Sequence, residues 1–206
     1  MPAAAADLFG TALERAARYA ELLVGPGAER GLIGPREAGR IWSRHLLPSA
    51  VLSELVPPAA AVADLGSGAG LPGIPLALVR PDVSVVLVEP MVRRTAFLTE
   101  VIAALELTNA QVVRSRAEEH AAVRPGRYDI VVARAVTDLA SLWTWARSLL
   151  RPAGVLLAVK GARAAAEVEA AAAVLARAGG SAEIVELGRD NPPAATTVVR
   201  VTGSGA

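Results

Sequence analysis

The residues best suited to chemistry lie in the stretch VADLGSGAGLPGIPL, residues 62–76. An apolar run ends in Asp64, and Gly66, Gly68 and Gly70 follow it at every second position. Glycine permits positive φ and lacks the Cβ that would hold a ligand away from the backbone. In an open parallel sheet, the loop that follows the first strand lies at the carboxyl edge, where ligands bind. The stretch therefore predicts a ligand-binding loop.

A second acidic residue, Glu89, follows the apolar run VSVVLV. An acidic residue about 20 positions beyond a glycine loop is typical of a group that accepts hydrogen bonds from ribose hydroxyls. Asp64, the three glycines and Glu89 thus agree in order and spacing. Together they predict a site for a cofactor that contains a nucleoside.

The spacing also indicates which cofactor this is. A dinucleotide loop would carry its last glycine at Leu71, and a mononucleotide phosphate loop would carry a lysine after Gly73. Asp64 would repel a pyrophosphate but suits a positively charged group. S-adenosylmethionine carries a sulfonium and an α-ammonium and has no phosphate, so it is the cofactor we expect.

The elements that must position these residues alternate along the chain. Short apolar runs predict strands at 61–65, 83–88, 110–114, 128–133, 154–160, 182–187 and 196–201, and helical patterns lie at 72–80, 91–106, 138–150 and 161–180. This alternation predicts an α/β fold with a mostly parallel, seven-stranded sheet and helices on both faces. Helical patterns at 3–24 and 35–56 predict an N-terminal extension, whose first helix should end at Gly25-Pro26-Gly27. We expect an extension at 1–58 and a cofactor-binding domain at 59–206, packed as one unit.

Composition excludes several classes of protein. The chain has 206 residues with a formal charge of +1, so it is not a polycation, and it has no cysteine, so disulfides and thiolate chemistry are excluded. No segment approaches the ~18 uninterrupted apolar residues of a membrane span. The N-terminus carries Asp7 and no basic region. We expect a cytoplasmic protein without a metal site or a membrane association.

Four segments closely resemble the RsmG (GidB) family of 16S ribosomal RNA methyltransferases. They read DLGSGAGLPGIPLALVRP, RRTAFLTEVIAALELTNAQVVRSRAEE, YDIVVARAV and LLAVKG, and the likeness runs from about 38 to 161. The resemblance implies a Rossmann-like class I methyltransferase fold and transfer of a methyl group from S-adenosylmethionine to guanine N7. It also implies 16S ribosomal RNA or the small ribosomal subunit as the partner; we expect the protein to act as a monomer.

Carried over residue by residue, the resemblance implies cofactor contacts at five positions: Gly66, Leu71, Ala117, Glu118 and Arg134. RHLLPSAVL at 44–52 is similar to a family segment that has an acidic residue in place of Pro48. Near the C-terminus, Thr196-Thr197 stands where the family often has an arginine.

The chemistry implied by the resemblance needs no catalytic base, because guanine N7 has a free lone pair. Positioning is then the main task. Arg134 and Lys160 end the fourth and fifth predicted strands. We expect Arg134 to line the cofactor pocket and Lys160 to hold an RNA phosphate or the guanine O6.

Other polar and aromatic residues have two interpretations each. The arginines at 93, 94, 114 and 116 form either a phosphate-binding surface or a solvated face. The tryptophans at 42, 143 and 145 either stack on a base or, as we expect, pack in the core. We expect His45 to pack within the N-terminal region and His120 to lie on the surface.

Three alternative functions follow from the same residues. A nicotinamide-dependent oxidoreductase would need the glycine that Leu71 replaces. A methyltransferase acting on another RNA, a protein or a small molecule would share the same loop, because fold does not fix substrate. A non-catalytic RNA-binding protein with this fold would not need an intact glycine loop.

Overall fold

The computed structural model describes residues 1–34 and 36–203. Pro35, where the second predicted helical region begins, and residues 204–206 at the end of the predicted domain lie outside the described residues.

The centre of the fold is a seven-stranded sheet. Its strands are β1 (Ala61–Leu65), β2 (Ser84–Val88), β3 (Ala110–Val113), β4 (Tyr128–Arg134), β5 (Leu150–Lys160), β6 (Gly180–Leu187) and β7 (Thr196–Gly203). They lie in the order β3-β2-β1-β4-β5-β7-β6. Pairing is parallel from β3 to β5, and β7 runs antiparallel to both of its neighbours. The predicted sheet is therefore confirmed, and the strand order reverses between β1 and β4, where such sheets bind ligands.

The helices up to Ala50 precede β1, and those from Gly73 onward connect the strands as crossovers. They are α1 (Ala4–Phe9), α2 (Leu13–Leu22), α3 (Leu47–Ala50), α4 (Gly73–Val79), α5 (Val92–Ala104), α6 (Ala117–Val123), α7 (Leu139–Leu149) and α8 (Ala164–Arg177). Shorter 3₁₀ and π-helical turns cover Gly10–Ala12, Leu23–Gly27, Ala38–Arg40, Trp42–Leu46, Val51–Leu55 and Pro192–Ala194. The sequence pattern did not predict α6, which follows β3 after a short turn.

The first helical region does not end at Gly25-Pro26-Gly27 as predicted. The chain continues there as a π-helical turn over Leu23–Gly27. A Cβ at Gly27 would lie 3.1 Å from the Leu22 carbonyl oxygen and 3.4 Å from the Phe97 ring, so this glycine serves close packing rather than the end of the helix. Glycine thus lets this turn approach α5 closely.

The two faces of the sheet bury different elements. In β1, Val62 packs with the N-terminal region, α4 and α5, whereas Ala63 and Leu65 pack with α6, α7 and α8. We call these the N-terminal face and the α6–α8 face. Because side chains alternate along a strand, Asp64 points to the N-terminal face. By the same alternation, Arg134 of β4 lies on the N-terminal face and Lys160 of β5 lies on the α6–α8 face.

One apolar core joins the N-terminal region to the sheet. Tyr19, Leu23 and Leu46 are fully buried in the same cluster as Val62 and Leu87. Burying a large apolar side chain contributes about 1.5–3 kcal/mol, so this cluster gives the two regions a substantial shared stability.

None of the helices in residues 1–34 and 36–203 is long and apolar enough to span a membrane.

Candidate active site

The glycine loop is anchored to the end of β2. The N–H groups of Gly66 and Ser67 donate to the carbonyl oxygen of Val88 at 2.9 and 3.2 Å. The Ser67 hydroxyl donates to the Asp64 carbonyl oxygen at 2.8 Å. These bonds fix the loop across the carboxyl edge of β1 and β2, where the sequence placed it.

Asp64 is fully buried beneath this loop. Its Oδ2 accepts from the N–H of Gly73, the first residue of α4, at 3.0 Å. Oδ1 is buried and has no hydrogen-bond partner among the described residues. Burial raises the pKa of Asp64 to about 7, a change that the bond from Gly73 opposes and the nearby Glu89 reinforces. The carboxyl group therefore has a free acceptor and gains from a cation brought to the loop.

Gly73 is required by Asp64, and the glycine spacing did not reveal this role. A Cβ at Gly73 would lie 2.6 Å from Asp64 Oδ2 and would also contact the Leu87 side chain. Only glycine lets α4 begin close enough to donate to the carboxylate.

The three predicted glycines face different neighbours. Gly68, with φ of +59°, has only the Gly66 carbonyl oxygen, at 3.8 Å, near a Cβ, so its surroundings are open. A Cβ at Gly66 would lie 2.8 Å from the Val136 side chain. At Gly70 it would lie 2.9 Å from the Tyr19 hydroxyl. Gly70 thus makes room for the side chains of Tyr19 and Ile74, and its contact with a cofactor remains a prediction.

Glu89 bridges the loop and the start of α5. Its Oε2 accepts from the Gly68 N–H and its Oε1 from the Met91 N–H, both at 3.0 Å. The carboxylate is buried and lies 3.5 Å from an Arg94 nitrogen. Each oxygen keeps a further lone pair, so Glu89 can still accept hydrogen bonds from a diol.

A cleft of about 290 Å³ lies beside Glu89. It brings together four of the predicted cofactor residues, Gly66, Glu89, Ala117 and Glu118. Its remaining lining residues are Val88, Pro90, Met91, Arg94, Arg116, Ala135, Val136 and Trp145. We call it the nucleoside cleft. Ala117 and Glu118 begin α6 at the carboxyl end of β3, so strand order alone explains their arrival here.

Arg134 ends β4 on the N-terminal face. Its Nη2 donates to the Arg44 carbonyl oxygen at 2.9 Å and to His45 Nδ1 at 3.1 Å. Its Nη1 is buried without a hydrogen-bond partner in the described part of the chain. Burial lowers the pKa of Arg134, and the charge on Arg44 adds to this effect. Arg134 therefore has an unused donor, as Asp64 has an unused acceptor.

A second cleft, of about 1090 Å³, opens beside Arg134 and Lys160. We call it the substrate cleft. It shares Ala135 and Val136 with the nucleoside cleft, so these residues stand between the two. Ala135 has φ of 53°, a conformation that residues other than glycine rarely adopt.

Lys160 lines the substrate cleft but is largely buried. Its Nζ lies 2.6 Å from Glu167 Oε2 and donates to the Thr137 carbonyl oxygen at 3.0 Å. Only 8% of the side chain is exposed. Lys160 is therefore held in place by α8, on the sheet face opposite to Arg134.

Leu71 and three other predicted residues lie beside the clefts rather than in their walls. Asp64 lies in β1 beneath the loop, and Gly68 and Gly70 belong to the loop. Leu71 follows the loop and is buried, with its N–H donating to the Ser67 carbonyl oxygen at 3.1 Å. Its contact with a cofactor remains a prediction from the resemblance.

His120 is not a surface residue as expected. It is buried, and its Nε2 lies 2.7 Å from the Tyr128 hydroxyl. The adjacent glutamates suggested exposure, but α6 turns His120 inward. His45 does bond within the N-terminal region, to Glu37, but also reaches Arg134.

The aromatic and arginine alternatives divide residue by residue. Trp143 is buried, as expected, whereas Trp145 lines the nucleoside cleft. Arg94 and Arg116 line the same cleft. No group of three or more histidine, aspartate or glutamate side chains in the described residues is arranged to hold a metal ion.

These groups fit S-adenosylmethionine. The free acceptor of Asp64 and the free donor of Arg134 match an α-ammonium and an α-carboxylate, and each needs a partner because buried polar groups without one are costly. Glu89 can accept from ribose hydroxyls, and the open space at Gly68 admits a ligand close to the backbone. Two residues near the site were not predicted from the sequence. Nothing in the sequence indicates that Tyr19 lies beneath the loop, whereas Val136 could have been predicted because it follows β4 at the carboxyl edge of the sheet.

Comparison with known proteins agrees with this geometry. A family model described as rRNA small subunit methyltransferase G matches residues 12–192. The ribosomal RNA small subunit methyltransferase G of Thermobifida fusca is 55% identical over 97% of this chain and 84% of its own length. That of Streptomyces coelicolor is 52% identical over 98% of this chain and 84% of its own length.

A solved structure of a SAM-dependent methyltransferase from Aquifex aeolicus matches with a TM-score of 0.61 and 17% identity. It covers 86% of this chain and 97% of that one, and the likeness establishes the class of fold. The glycine loop, the strand order and the match over nearly the whole chain agree: the chain belongs to the family of ribosomal RNA small subunit methyltransferase G.

Proposed function

We propose that this protein transfers a methyl group from S-adenosylmethionine to N7 of a guanine in 16S ribosomal RNA. Membership of the family supports the reaction class and the substrate. The observation that carries the proposal is two buried polar atoms that have no hydrogen-bond partner among the described residues. Asp64 Oδ1 lies beneath the loop whose Gly66 lines the nucleoside cleft, and Arg134 belongs to the wall of the substrate cleft, which meets the nucleoside cleft at Ala135 and Val136.

The cofactor residues have distinct roles in this proposal. Asp64 and Arg134 hold the amino-acid end, and Glu89 accepts from the ribose hydroxyls. Ala117 and Glu118 border the base, the backbone of Gly66 and Gly68 approaches the ligand, and Gly70 and Leu71 close the loop onto α2 and α4. When bound, S-adenosylmethionine supplies a methyl group on a positively charged sulfur, which an unprotonated ring nitrogen can attack.

The substrate cleft positions the guanine. N7 needs no proton removed, so no residue has to act as a base. The contribution of the protein is alignment, which lowers the barrier by on the order of several kcal/mol. We assign to Lys160 a hydrogen bond to the guanine O6, because its burial suits a base better than an exposed phosphate. The fixed pairing with Glu167 keeps its ammonium in one place.

The proposed substrate also indicates where the protein acts. A small ribosomal subunit as substrate corresponds to a cytoplasmic protein. One chain contains both clefts, which supports action as a monomer.

Mass spectrometry of the product tests the proposal. The protein is incubated with isotopically labelled S-adenosylmethionine and small ribosomal subunits that lack the modification, and the 16S RNA is digested and mapped. We expect one labelled 7-methylguanine; naked 16S RNA and large subunits serve as parallel substrates. Label in another base or RNA, or none, would reject the proposed substrate.

A further inference from the structure

A chain of polar contacts links the N-terminal region to Arg134. Glu37 Oε2 lies 2.8 Å from His45 Nε2, and His45 Nδ1 lies 3.1 Å from Arg134 Nη2. His45 and Arg134 are 89 positions apart in the sequence. The same guanidinium nitrogen also donates to the Arg44 carbonyl oxygen at 2.9 Å. Arg134 is therefore held through Nη2, while Nη1 has no partner among the described residues.

These contacts determine the tautomer of His45. A guanidinium has only donors, so Nδ1 must accept the hydrogen bond from Arg134. The ring proton then lies on Nε2 and is donated to Glu37. A protonated ring would instead present an N–H to the guanidinium, adding a second positive charge and removing the acceptor.

The surroundings of His45 favour the neutral ring. Burial lowers the pKa of His45, and the charges of Arg134 and Arg44 lower it further, whereas the hydrogen bond and charge of Glu37 raise it. Glu37 is itself shared, because Arg40 and Arg44 lie 3.1 and 3.3 Å from its carboxylate. These arginines reduce the ability of Glu37 to stabilise a charged ring.

We propose that His45 is a positioning residue: its neutral ring, oriented by Glu37, fixes the Arg134 guanidinium so that Nη1 faces the cofactor site. This inference rests on the proposed function, in which Arg134 binds the carboxylate of the cofactor. It gives the N-terminal region a direct part in cofactor binding that the glycine loop alone does not suggest.

NMR of the two histidines tests the contact itself. A His120→Asn variant assigns the His45 signals, since the chain has no other histidine. We expect the Nε2–H tautomer and a pKa below the ordinary 6.5. In an Arg134→Met variant this pKa should rise, because a cation and a donor are removed. An Nδ1–H tautomer, or a titration that Arg134→Met leaves unchanged, would overturn the proposal.

Binding of S-adenosylhomocysteine, measured by calorimetry at pH 7.5, tests the consequence. His45→Ala should weaken binding about tenfold, which corresponds to the loss of one oriented contact of about 1.4 kcal/mol. His45→Asn should recover most of the affinity, since its amide oxygen can accept from Arg134. His120→Asn, a buried histidine on the α6–α8 face, is the matched control and should bind as the wild type does.

The outcomes separate the two proposals. If Arg134→Met binds normally, the proposed role of Arg134 fails and the inference fails with it. If Arg134→Met weakens binding but His45→Ala does not, only the inference fails. Equal losses in His45→Ala and His45→Asn would also contradict it, because a purely structural role would not distinguish an acceptor from a methyl group.

Discussion

The hydroxyl of Tyr19 in α2 donates a 2.8 Å hydrogen bond to the carbonyl oxygen of Ala69 in the glycine loop. Both residues are buried, and the absence of a side chain at Gly70 leaves the space that the hydroxyl occupies. Burial raises the pKa of Tyr19 well above its ordinary value, so the phenol remains a donor. The N-terminal region thus supports the shape of the loop from beneath.

Tyr19→Phe should therefore affect both stability and cofactor binding. Losing the phenol leaves a buried carbonyl oxygen unpaired, which costs about 1–3 kcal/mol. Tyr128→Phe is a matched control, because Tyr128 is also buried and bonds His120 on the other face of the sheet. Calorimetric unfolding should show a comparable loss of stability in both variants. It should also show a single transition, since we propose that residues 1–58 and 59–206 unfold together. We expect weaker binding of S-adenosylhomocysteine in Tyr19→Phe but not in Tyr128→Phe. Equal affinity in the two variants would contradict a role for the Tyr19 contact in shaping the loop for the cofactor.

Gly68→Val should abolish cofactor binding and leave a cooperative fold. The residue has φ of +59° and open space around a Cβ, so a side chain there fills the approach to the backbone. Gly126→Val is the matched control, because Gly126 also has φ of +59° and open surroundings but lies outside both clefts. Backbone strain of about 1–2 kcal/mol should be common to both. Titration of each variant with S-adenosylmethionine separates the effect of backbone strain from the effect of a side chain that blocks the ligand. Normal affinity in Gly68→Val would contradict the placement of the cofactor at this loop.

Cofactor binding should release a proton near neutral pH through Asp64. Burial raises the pKa of Asp64 from 3.8 to about 7, and an ammonium brought to the loop lowers it again. At a pH between the pKa of Asp64 in the complex and its pKa in the free protein, the free protein holds a proton that is released when the cofactor binds. Affinity should therefore rise with pH, by up to about tenfold per unit below pH 7. Calorimetry in buffers with different ionisation enthalpies measures the proton release.

The same group contributes to folding stability with the opposite dependence. Because the folded-state pKa of Asp64 is raised, its contribution is present below about pH 3.8 and is lost as pH rises through about 7. Asp64→Asn should remove this dependence and the proton release, whereas Asp129→Asn, at the other end of the sheet, should keep both. Proton release that persists in Asp64→Asn would assign it to another group.

Lys160→Met should leave cofactor binding unchanged and reduce RNA methylation. The ammonium is held by Glu167 and Thr137 in the substrate cleft, away from the nucleoside cleft. A lost charge-assisted hydrogen bond to guanine costs about 1.5–3 kcal/mol, a reduction in rate of about ten- to a hundredfold. Arg163→Met, a more exposed cation of the same cleft, controls for a general loss of charge. If both variants methylate small subunits at the wild-type rate, Lys160 has no role in the substrate site.

The fold and the glycine loop were predictable because both depend on short-range pattern. Strand periodicity fixed the sheet, and Asp64, the glycines and Glu89 lie within one βαβ unit, where spacing alone determines which edge they share. Gly66, Glu89, Ala117 and Glu118 line one cleft because their strands end together.

Contacts between distant segments could not be predicted in the same way. Tyr19 reaches Ala69 across 50 positions, and His45 reaches Arg134 across 89. Neither contact leaves a periodic trace in the sequence. The inward orientation of His120 depends on α6, a helix that the sequence pattern did not predict.

The position of S-adenosylhomocysteine in a crystal of this protein tests the central claim most directly. We expect its ribose hydroxyls on Glu89, its adenine in the nucleoside cleft, and its amino and carboxylate groups beside Asp64 and Arg134. A ligand bound away from the glycine loop, or one whose amino-acid end contacts neither Asp64 nor Arg134, would contradict the account.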